Sequence, residues 1–281
     1  MNAPDERFYR DYTDCYVAFL DILGFKKIAI AHSHEHLKSV YQKFSEAILH
    51  GLSNGKYVSF HDGQTECFGP DIRQATVNSL LVSDSILIWT DDNSAESFKN
   101  IVIAVQSLLA FSIMDGIPLR GAISIGSFTS ILNQWPSQTH NLQHSLFGKV
   151  IAEASDAEKR QEWCGCEITK AAVDFYRSKC SVVEPLFKNK LILHYPVPRK
   201  NEDAGADGFA IDWVNHPQTG INAQVVADAF APPINPDPNE WEKDKIEWKK
   251  NVEIKLTNTL KFLKQVRSSE NKFFKPWHSI C

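Results

Sequence analysis

Residues 15–25, CYVAFLDILGF, decide the fold: an apolar run ends at an acid and is followed by a glycine. Residues 15–20 are apolar and rich in side chains that favour a buried strand. Leu23, Gly24 and Phe25 are typical of a tight turn, and the spacing of apolar residues from 26 to about 50 predicts a helix. The stretch therefore predicts strand, turn and helix, with Asp21 at the end of the strand.

A second strand-rich stretch follows further along the chain. Residues 75–82 and 86–89 predict two buried strands joined by the polar turn 83–85. Ser94 is expected to cap a helix that runs to Met114, and residues 118–126 predict another strand. The order β-α-ββ-α-β predicts an α+β fold, a ferredoxin-like (split βαβ) antiparallel sheet backed by helices. No GxGxxG occurs, which argues against a Rossmann fold.

The remaining segments are assigned by local pattern. We expect a loop or small flap at 51–71, irregular chain at 127–145, a helix at 147–163, a strand leading into a helix at 166–177, and strands at 180–183 and 190–195.

Three parts are expected along the chain. Residues 1–14 are polar and predict a loose N-terminal arm, 15–215 form the main domain, and 216–281 are a C-terminal extension. The extension holds a proline-rich linker, 231–239, that we expect not to be helical. Beyond it lies an amphipathic helix whose apolar stripe should pack on the main domain or on a partner chain. The stripe comprises Trp241, Trp248, Val252, Leu256, Leu260 and Leu263.

Composition limits the functions open to this chain of 281 residues. Its 30 basic and 34 acidic residues give a net charge of −4, which argues against nucleic acid or an anionic membrane as a partner. The six cysteines form no CxxC pair, the first thirty residues lack a signal-peptide pattern, and no apolar run reaches about 18 residues. We therefore expect a cytoplasmic protein with reduced thiols.

Asp21 and Asp84 are the candidate chemical groups. Each alone is most simply explained as a turn or helix-cap acid. The β-α-ββ order, however, places the end of the first strand beside the tip of the hairpin, where two carboxylates repel each other unless they share cations. Two acids and a backbone carbonyl suit a pair of hard metal ions for phosphoryl or nucleotidyl transfer. Free N–H groups at Gly24 and Phe25, where a helix opens, suit a triphosphate.

Several motifs in this order resemble the class III nucleotidyl cyclases. They are residues 19–25 (FLDILGF), 83–85 (SDS), 119–126 (LRGAISIG) and 146–148 (LFG), with 167–170 (EITK) and 190–195 (KLILHY) similar to the family's closing segments. The resemblance covers roughly residues 15 to 200 and implies that the main domain is a cyclase catalytic domain.

The resemblance also implies a ligand set. Asp21, the Ile22 carbonyl and Asp84 would hold two divalent ions, Mn²⁺ or Mg²⁺. A second group, Leu23, Gly24, Phe25 and Lys26, would cradle the phosphates of a nucleoside triphosphate. A homodimer with shared active sites is implied too, so that a monomer would be inactive.

The chain departs from the family pattern at the base-reading and transition-state positions. Leu80 stands where adenylyl cyclases place a lysine, and Ser145 stands where they place an acid or threonine. Ala152 and Asp156 replace an asparagine and an arginine on the helix after Gly148. The chain is therefore either inactive, or it handles another base with another cation.

A branch of the family fits an altered base pocket: the stand-alone pyrimidine cyclases of Pycsar antiphage defence, which the chain resembles most. This resemblance implies that UTP is converted to 3′,5′-cyclic UMP and pyrophosphate as a second messenger. A downstream effector would then act through the product rather than by direct contact. UTP is the expected substrate, and no residue distinguishes it from CTP. A cytidylate or purine cyclase, or a non-catalytic module that binds a nucleotide or partner, remains the alternative.

Four cations are candidates for the missing transition-state charge. Helical geometry puts Lys149, Lys159 and Arg160 within about 80° of the face that holds the two replaced positions. Arg120 is the fourth candidate and lies on a strand. Any one of them alone is more simply explained as a surface or salt-bridge residue.

Overall fold

The computed structural model describes residues 6–31, 33–53, 55–134, 142–180, 185–200, 208–231 and 238–268. The strands are β1 (Glu6–Ile22), β2 (Tyr57–Asp62), β3 (Thr65–Pro70), β4 (Asn78–Val82), β5 (Ser85–Trp89), β6 (Leu119–Gln134), β7 (Leu142–Phe147), β8 (Gly165–Ile168), β9 (Ile192–His194) and β10 (Phe209–Ile211). The helices are α1 (Phe25–Ala31), α2 (His34–Leu52), α3 (Ala95–Met114), α4 (Lys149–Arg160), α5 (Lys170–Lys179), α6 (Pro185–Lys188), α7 (Ala223–Ala229) and α8 (Pro238–Ser268).

One large sheet organises the described chain. Its strand order is β4-β5-β1-β6-β8-β10-β9, and β7 pairs with the outer part of β6. Neighbouring strands are antiparallel except β6 and β8, which run parallel. The order β4-β5-β1-β6, with helices between β1 and β4 and between β5 and β6, confirms the predicted α+β fold of the split βαβ type.

Side chains on β1 alternate between the two faces of the sheet. Tyr16, Leu20 and Ile22 are buried in the main core together with residues of α2, α3 and α5. The central helix of that core is α3, whose N-cap Ser94 accepts a hydrogen bond from Ser97 N–H at 3.1 Å, as predicted. By length and composition α3 is apolar enough to cross a membrane, but 72% of its most apolar stretch is buried inside this fold, as in the core helix of a soluble protein.

Largely polar strands account for two wrong assignments. Residues 6–14 are not a loose arm, because β1 begins at Glu6 and pairs with β6 as far as Gln134. The segment 127–145 is not irregular where the structure describes it, since β6 and β7 occupy 127–134 and 142–147. Of residues 8–14 only Tyr12 is buried, and of the two buried residues in 127–132 one, Ser130, is polar, so neither stretch has the apolar alternation that marks a half-buried strand. Within 51–71, expected to be a loop or small flap, β2 and β3 form a flap, a separate two-stranded sheet.

Helix boundaries also differ from the prediction. The expected helix from 26 to about 50 is split, and Ser33 starts α2 by accepting a hydrogen bond from His36 N–H at 3.3 Å. The helix expected over 147–163 is α4, which ends at Arg160. The strand followed by a helix at 166–177 is confirmed as β8 and α5. Cys180 ends α5, and the rest of the strand expected at 180–183 lies outside the described residues.

The C-terminal helix packs on the main domain. Phe262, Leu263 and Val266 of α8 are buried in the main core, and the Phe262 ring lies 4.8 Å from that of Trp163. Of the two expected targets of the apolar stripe, the main domain or a partner chain, the described part of the stripe packs on the main domain. The side chains of Trp241 and Trp248 lie outside the described residues. Most of the proline-rich linker also lies outside. Its last two residues open α8, which a proline in the first turn permits.

Candidate active site

The fold brings the ends of β1 and the β4–β5 hairpin together. The Ile22 N–H donates to the Asp84 carbonyl oxygen at 3.0 Å, and Asp21 lies opposite Ser85 in the strand register. This places the hairpin turn directly against the end of β1. The two acids are therefore near neighbours. Ile22 links them, because it follows Asp21 in the chain and its N–H is hydrogen-bonded to Asp84.

Two tight turns create this arrangement. Ser83 has a φ of 55°, which a two-residue hairpin turn requires, and small polar residues tolerate it. Gly24 has a φ of +76° and open space around its α-carbon, so it allows β1 to turn into α1 without strain. The Leu23 N–H donates to the Pro118 carbonyl oxygen at 2.9 Å, which fixes the turn to the chain that enters β6.

Asp21 is half-buried, and its surroundings shift the pKa of its carboxyl. Burial is the main cause that raises the pKa of its carboxyl to about 6, and the nearby Asp84 and Glu158 raise it further. Ser85 Oγ donates a hydrogen bond to Asp21 Oδ1 at 2.9 Å, and this bond and the Arg120 charge oppose the rise. Asp21 thus carries a negative charge that its own surroundings compensate poorly.

The donor set fits a hard divalent ion. Carboxylate oxygens from Asp21 and Asp84, with a backbone carbonyl at Ile22, are the ligand types that Mg²⁺ and Mn²⁺ prefer. Among the described residues, no group of three or more histidine, cysteine, aspartate or glutamate side chains is arranged to hold a metal. An ion held by these groups would take its remaining ligands from water and from the oxygens of a substrate phosphate.

The expected phosphate-binding segment lies beside the acids. Gly24 and Lys26 are exposed, and the Phe25 ring packs edge-on against Tyr41 with a centroid distance of 5.6 Å. The Ile28 N–H closes the first turn of α1 on the Gly24 carbonyl oxygen at 3.2 Å. Since α1 has only seven residues, backbone N–H groups of the turn, rather than a long helix dipole, would have to bind phosphate.

Of the two positions expected to read the base, Leu80 borders an apolar surface. The open-face cluster is Tyr12, Cys15, Val17, Leu87, Trp89, Phe128 and Val150, on the sheet face opposite the main core. Leu80 pairs with Leu87 across the hairpin and packs against this cluster. Leu146 packs against it as well, whereas Ser145, its neighbour on β7, is partly exposed and points to the opposite face of the strand.

The four candidate cations differ in how far their charges are already used. Arg120 is 8% exposed and forms an ion pair with the buried Glu158, while its Nη1 donates to the Gln161 carbonyl oxygen at 2.8 Å. Lys149 makes a surface pair with Glu153 at 3.1 Å.

The remaining positions lie on the exposed side of α4. Lys159 and Arg160 are exposed in its last turn, and Ala152 and Asp156 are exposed nearer its start. The structure thus brings Arg120 to the acids and leaves the other three cations on the surface of α4.

Sequence reasoning missed three contacts at this end of the sheet. Ser85 follows Asp84 directly, and the hairpin register would have indicated its place opposite Asp21. Glu158 and Gln161 gave no signal, because the run AEKRQ reads as the exposed end of a charged helix. Their burial depends on how α4 lies over β6, which local pattern does not determine.

Comparison with known proteins gives structural likeness only. Neither a family model nor a curated protein matches the chain. Similar solved structures include the adenylyl cyclase CyaB from P. aeruginosa, 13% identical with a TM-score of 0.44 over 73% of this chain and 95% of that one. A dimeric guanylyl cyclase domain of the RhoGC fusion protein from Blastocladiella emersonii is 16% identical, with a TM-score of 0.45 over 73% and 96%.

A third similar structure is the guanylate cyclase domain of RhGC from Catenaria anguillulae in complex with GTP. It is 12% identical, with a TM-score of 0.41 over 72% of this chain and 95% of that one. The structural neighbours are thus class III adenylyl and guanylyl cyclase catalytic domains. At these identities and TM-scores the likeness concerns the fold and not the chemistry of the site.

Proposed function

We propose that the chain is a metal-dependent nucleotidyl cyclase that converts a pyrimidine nucleoside triphosphate to a 3′,5′-cyclic monophosphate and pyrophosphate. The observation that carries the proposal is the half-buried, poorly compensated carboxylate of Asp21 beside Asp84. Holding two carboxylates together is costly unless a cation joins them.

The reaction forms a bond between the ribose 3′-oxygen and the α-phosphorus and breaks the bond from the α-phosphorus to the leaving pyrophosphate. The 3′-hydroxyl proton passes to solvent. When bound, two Mn²⁺ or Mg²⁺ ions supply Lewis acidity for the 3′-hydroxyl and positive charge for the leaving phosphates. Asp21, the Ile22 carbonyl and Asp84 would hold them, and backbone N–H groups of Gly24, Phe25 and Lys26 would orient the β and γ phosphates. The Leu23 N–H, also expected there, already donates to the Pro118 carbonyl oxygen and cannot take that role.

Leu80 supports a pyrimidine substrate. It packs against apolar residues and offers no hydrogen bond, so the site lacks the lysine with which adenylyl cyclases read their base. A purine in a site built for a pyrimidine edge leaves polar groups unpaired, at about 1 to 3 kcal/mol for each. UTP is the substrate expected first, with CTP as the alternative, and ATP and GTP should be poor substrates.

A homodimer with shared sites is part of the proposal. The exposed cations Lys149, Lys159 and Arg160 lie on α4, where a second copy can use them, whereas Arg120 is already paired within its own chain. One of the three would stabilise the developing charge on the phosphorane in the partner's site. Partly exposed apolar residues around the open-face cluster, including Leu80 and Ile151, are the surface such a dimer would bury.

In the cell, the proposed product is a second messenger, most simply cyclic UMP in bacterial antiphage defence. A downstream effector would recognise the cyclic nucleotide and need not touch this protein. The acidic net charge supports a role that needs neither nucleic acid nor a membrane, and we expect the protein in the cytoplasm.

A non-catalytic nucleotide-binding module is the second candidate. Ala152 and Asp156 favour it, because both are exposed on α4 at positions where the family carries an asparagine and an arginine. The two candidates differ in turnover. A binding module would hold a nucleotide and leave it intact.

The test is to incubate the purified protein with Mn²⁺ and each of the four ribonucleoside triphosphates and to identify products by mass. The proposal expects a cyclic pyrimidine monophosphate and pyrophosphate. If ATP is turned over as fast as UTP and CTP, the pyrimidine assignment is wrong and the cyclase assignment stands. Binding without any cyclic product contradicts the enzyme and favours the second candidate.

A further inference from the structure

Asp21 and Arg120 are paired directly across β1 and β6. Directly opposite residues in an antiparallel pair share a face, with Cβ atoms about 4.5 to 5.5 Å apart, and opposite charges in such positions attract each other. An ion pair between them is therefore the simplest expectation. In the part of the chain that the structure describes, their side chains form no such pair.

Arg120 is drawn away from Asp21 by two other groups. Its Nε and Nη2 face Glu158 Oε1, and Nη1 donates to the Gln161 carbonyl oxygen at 2.8 Å. Glu158 is 1% exposed, and its burial raises the pKa of its carboxyl, which the Arg120 charge opposes. Burying a carboxylate to this extent is costly, and the ion pair offsets the cost. From the described residues, the Asp21 carboxylate receives one side-chain hydrogen bond, from Ser85 Oγ.

Gln161, whose carbonyl oxygen accepts a hydrogen bond from Arg120, is held in place by hydrogen bonds of its own side chain. Its Nε2 donates to the Gly121 carbonyl oxygen at 2.8 Å and to the Ala157 carbonyl oxygen at 3.0 Å. Its Oε1 accepts a hydrogen bond from Trp163 Nε1 at 2.8 Å. These bonds tie the end of α4 to the β6 residue next to Arg120.

The segment after Gln161 is fixed from the other side by α8. Asn258 Nδ2 donates to the Glu162 carbonyl oxygen at 2.9 Å, and the Cys164 N–H donates to Thr259 Oγ1 at 2.9 Å. The chain from Gln161 to Cys164 is therefore hydrogen-bonded to β6 on one side and to α8 on the other.

We propose that Glu158 is a positioning residue which, with Gln161, withholds Arg120 from Asp21 and so leaves the Asp21 carboxylate free for a divalent cation. An Arg120–Asp21 pair would neutralise the carboxylate and occupy its oxygens. The metal and the site are those of the proposed function, on which the inference rests. The roles of Glu158, Gln161 and α8 belong to this chain's own packing.

The test measures Mn²⁺ binding to the intact chain by electron paramagnetic resonance of free Mn²⁺, without nucleotide. Glu158→Gln keeps the shape of the side chain and removes its charge, which frees Arg120 to pair with Asp21. We expect Mn²⁺ affinity to fall roughly tenfold or more. The double variant Glu158→Gln with Arg120→Gln should restore affinity to within about threefold of the wild type. Glu153→Gln, on the exposed side of α4, is the matched control and should change nothing.

Rescue separates positioning from structural damage, because a second buried substitution does not repair a misfolded site. If Glu158→Gln does not fold by circular dichroism, Arg120→Gln alone decides: the inference expects Mn²⁺ binding at least as tight as in the wild type, and weaker binding overturns it. A double variant as weak as Glu158→Gln, a Glu158→Gln affinity equal to the wild type, or wild-type Mn²⁺ binding that survives Asp21→Ala also overturns it.

The proposed function fails differently. If the wild type binds Mn²⁺ and the rescue succeeds but no nucleoside triphosphate is cyclised, the positioning role stands and the cyclase proposal falls.

Discussion

Tyr16, Leu20 and Ile22 on β1 lie beneath the helices of the main core, whereas Phe19 and Asp21 on the same strand face the other side of the sheet. The first set is fully covered by the chain's own α2, α3 and α5. The second set is covered in part by α4, which packs on β6 and β1.

The difference between the two faces indicates where stability and chemistry reside. The covered face is uniformly apolar. On the other face, carboxylates, exposed cations and partly buried apolar side chains lie together, which suits a site completed by a ligand and a second copy. Because successive side chains point to opposite faces, a register slip of one residue in β1 would exchange the two sets.

Complementation between inactive chains tests the open face most strongly. Asp21→Ala chains lack one of the two metal-binding acids. Chains in which Lys159 or another α4 cation is substituted lack the charge that stabilises the phosphorane. If sites are shared, mixing and re-forming dimers restores activity, because each heterodimer has one intact composite site. The assay is product formation before and after mixing. Mixtures that stay inactive while the dimers demonstrably exchange, or the absence of any inactivating cation substitution, contradict the shared-site model.

Truncation on the covered face should cost the most stability. Leu20 is fully buried, and a Cβ on Gly121 would lie 2.6 Å from its Cγ, so the space around it is tightly filled. Leu20→Ala is expected to lower the free energy of unfolding by about 3 to 5 kcal/mol. Phe19→Ala, on the open face, should lower it by less than about 2 kcal/mol. Urea unfolding followed by circular dichroism measures both, and equal losses would mean that the two faces are equally packed.

Acid should lower the free energy of unfolding by protonating His216, which is buried on the covered side. Burial, helped by the nearby His50, lowers the pKa of His216 to about 4. The Gln218 N–H donates to its Nδ1 at 3.4 Å, and its Nε2 lies 3.1 Å from Ser107 Oγ. Because the unfolded chain binds this proton near pH 6.5, stability is full above that pH and is lost as pH falls from 6.5 toward 4, by up to about 3 kcal/mol.

The measurement is the pH dependence of the unfolding free energy for the wild type and for His216→Gln, which cannot take up this proton. The variant should show a shallower slope between pH 6.5 and 4. Parallel curves for the two proteins would show that His216 does not carry the effect. His61→Gln, on the exposed hairpin of β2 and β3, serves as the control.

The smallest expected effect concerns the attachment of α8. Thr259 is buried and its Oγ1 accepts from the Cys164 N–H, so Thr259→Val leaves a buried N–H without a partner. We expect a loss of about 1 to 3 kcal/mol in the free energy of unfolding. Thr257→Val, two residues away on the exposed side of α8, should change it by less than about 0.5 kcal/mol. Equal effects of the two substitutions would contradict this attachment.

The sequence was most informative where apolar alternation and turn residues coincide. The run ending at Asp21, the hairpin at Ser83 and Asp84, and the Ser94 cap were predicted as the structure has them, because each depends on local chemistry. The outer parts of β1 and β6 were missed, since few of their side chains are buried and buried Ser130 is polar, so they show no apolar alternation.

The part of the site that depends on tertiary packing was not predictable. Arg120 was noticed as a cation near the acids, but its capture by Glu158 requires knowing how α4 crosses β6. Likewise, the apolar stripe of α8 predicted that the helix packs on another surface but not which one. The segment around Gln161, to which α8 is hydrogen-bonded, contains no recognisable motif.

The central claim is that Asp21 and Asp84 form one metal centre that cyclises a nucleotide. The most direct measurement is the Mn²⁺-dependent rate of cyclic nucleotide formation by Asp21→Ala and by Asp84→Ala, with Asp62→Ala on the exposed β2–β3 hairpin as the control. Both site variants should stay folded by circular dichroism and lose essentially all activity, while the control keeps the wild-type rate. Either site variant retaining more than about a tenth of the wild-type rate, a barrier change of only about 1.4 kcal/mol, would contradict the claim.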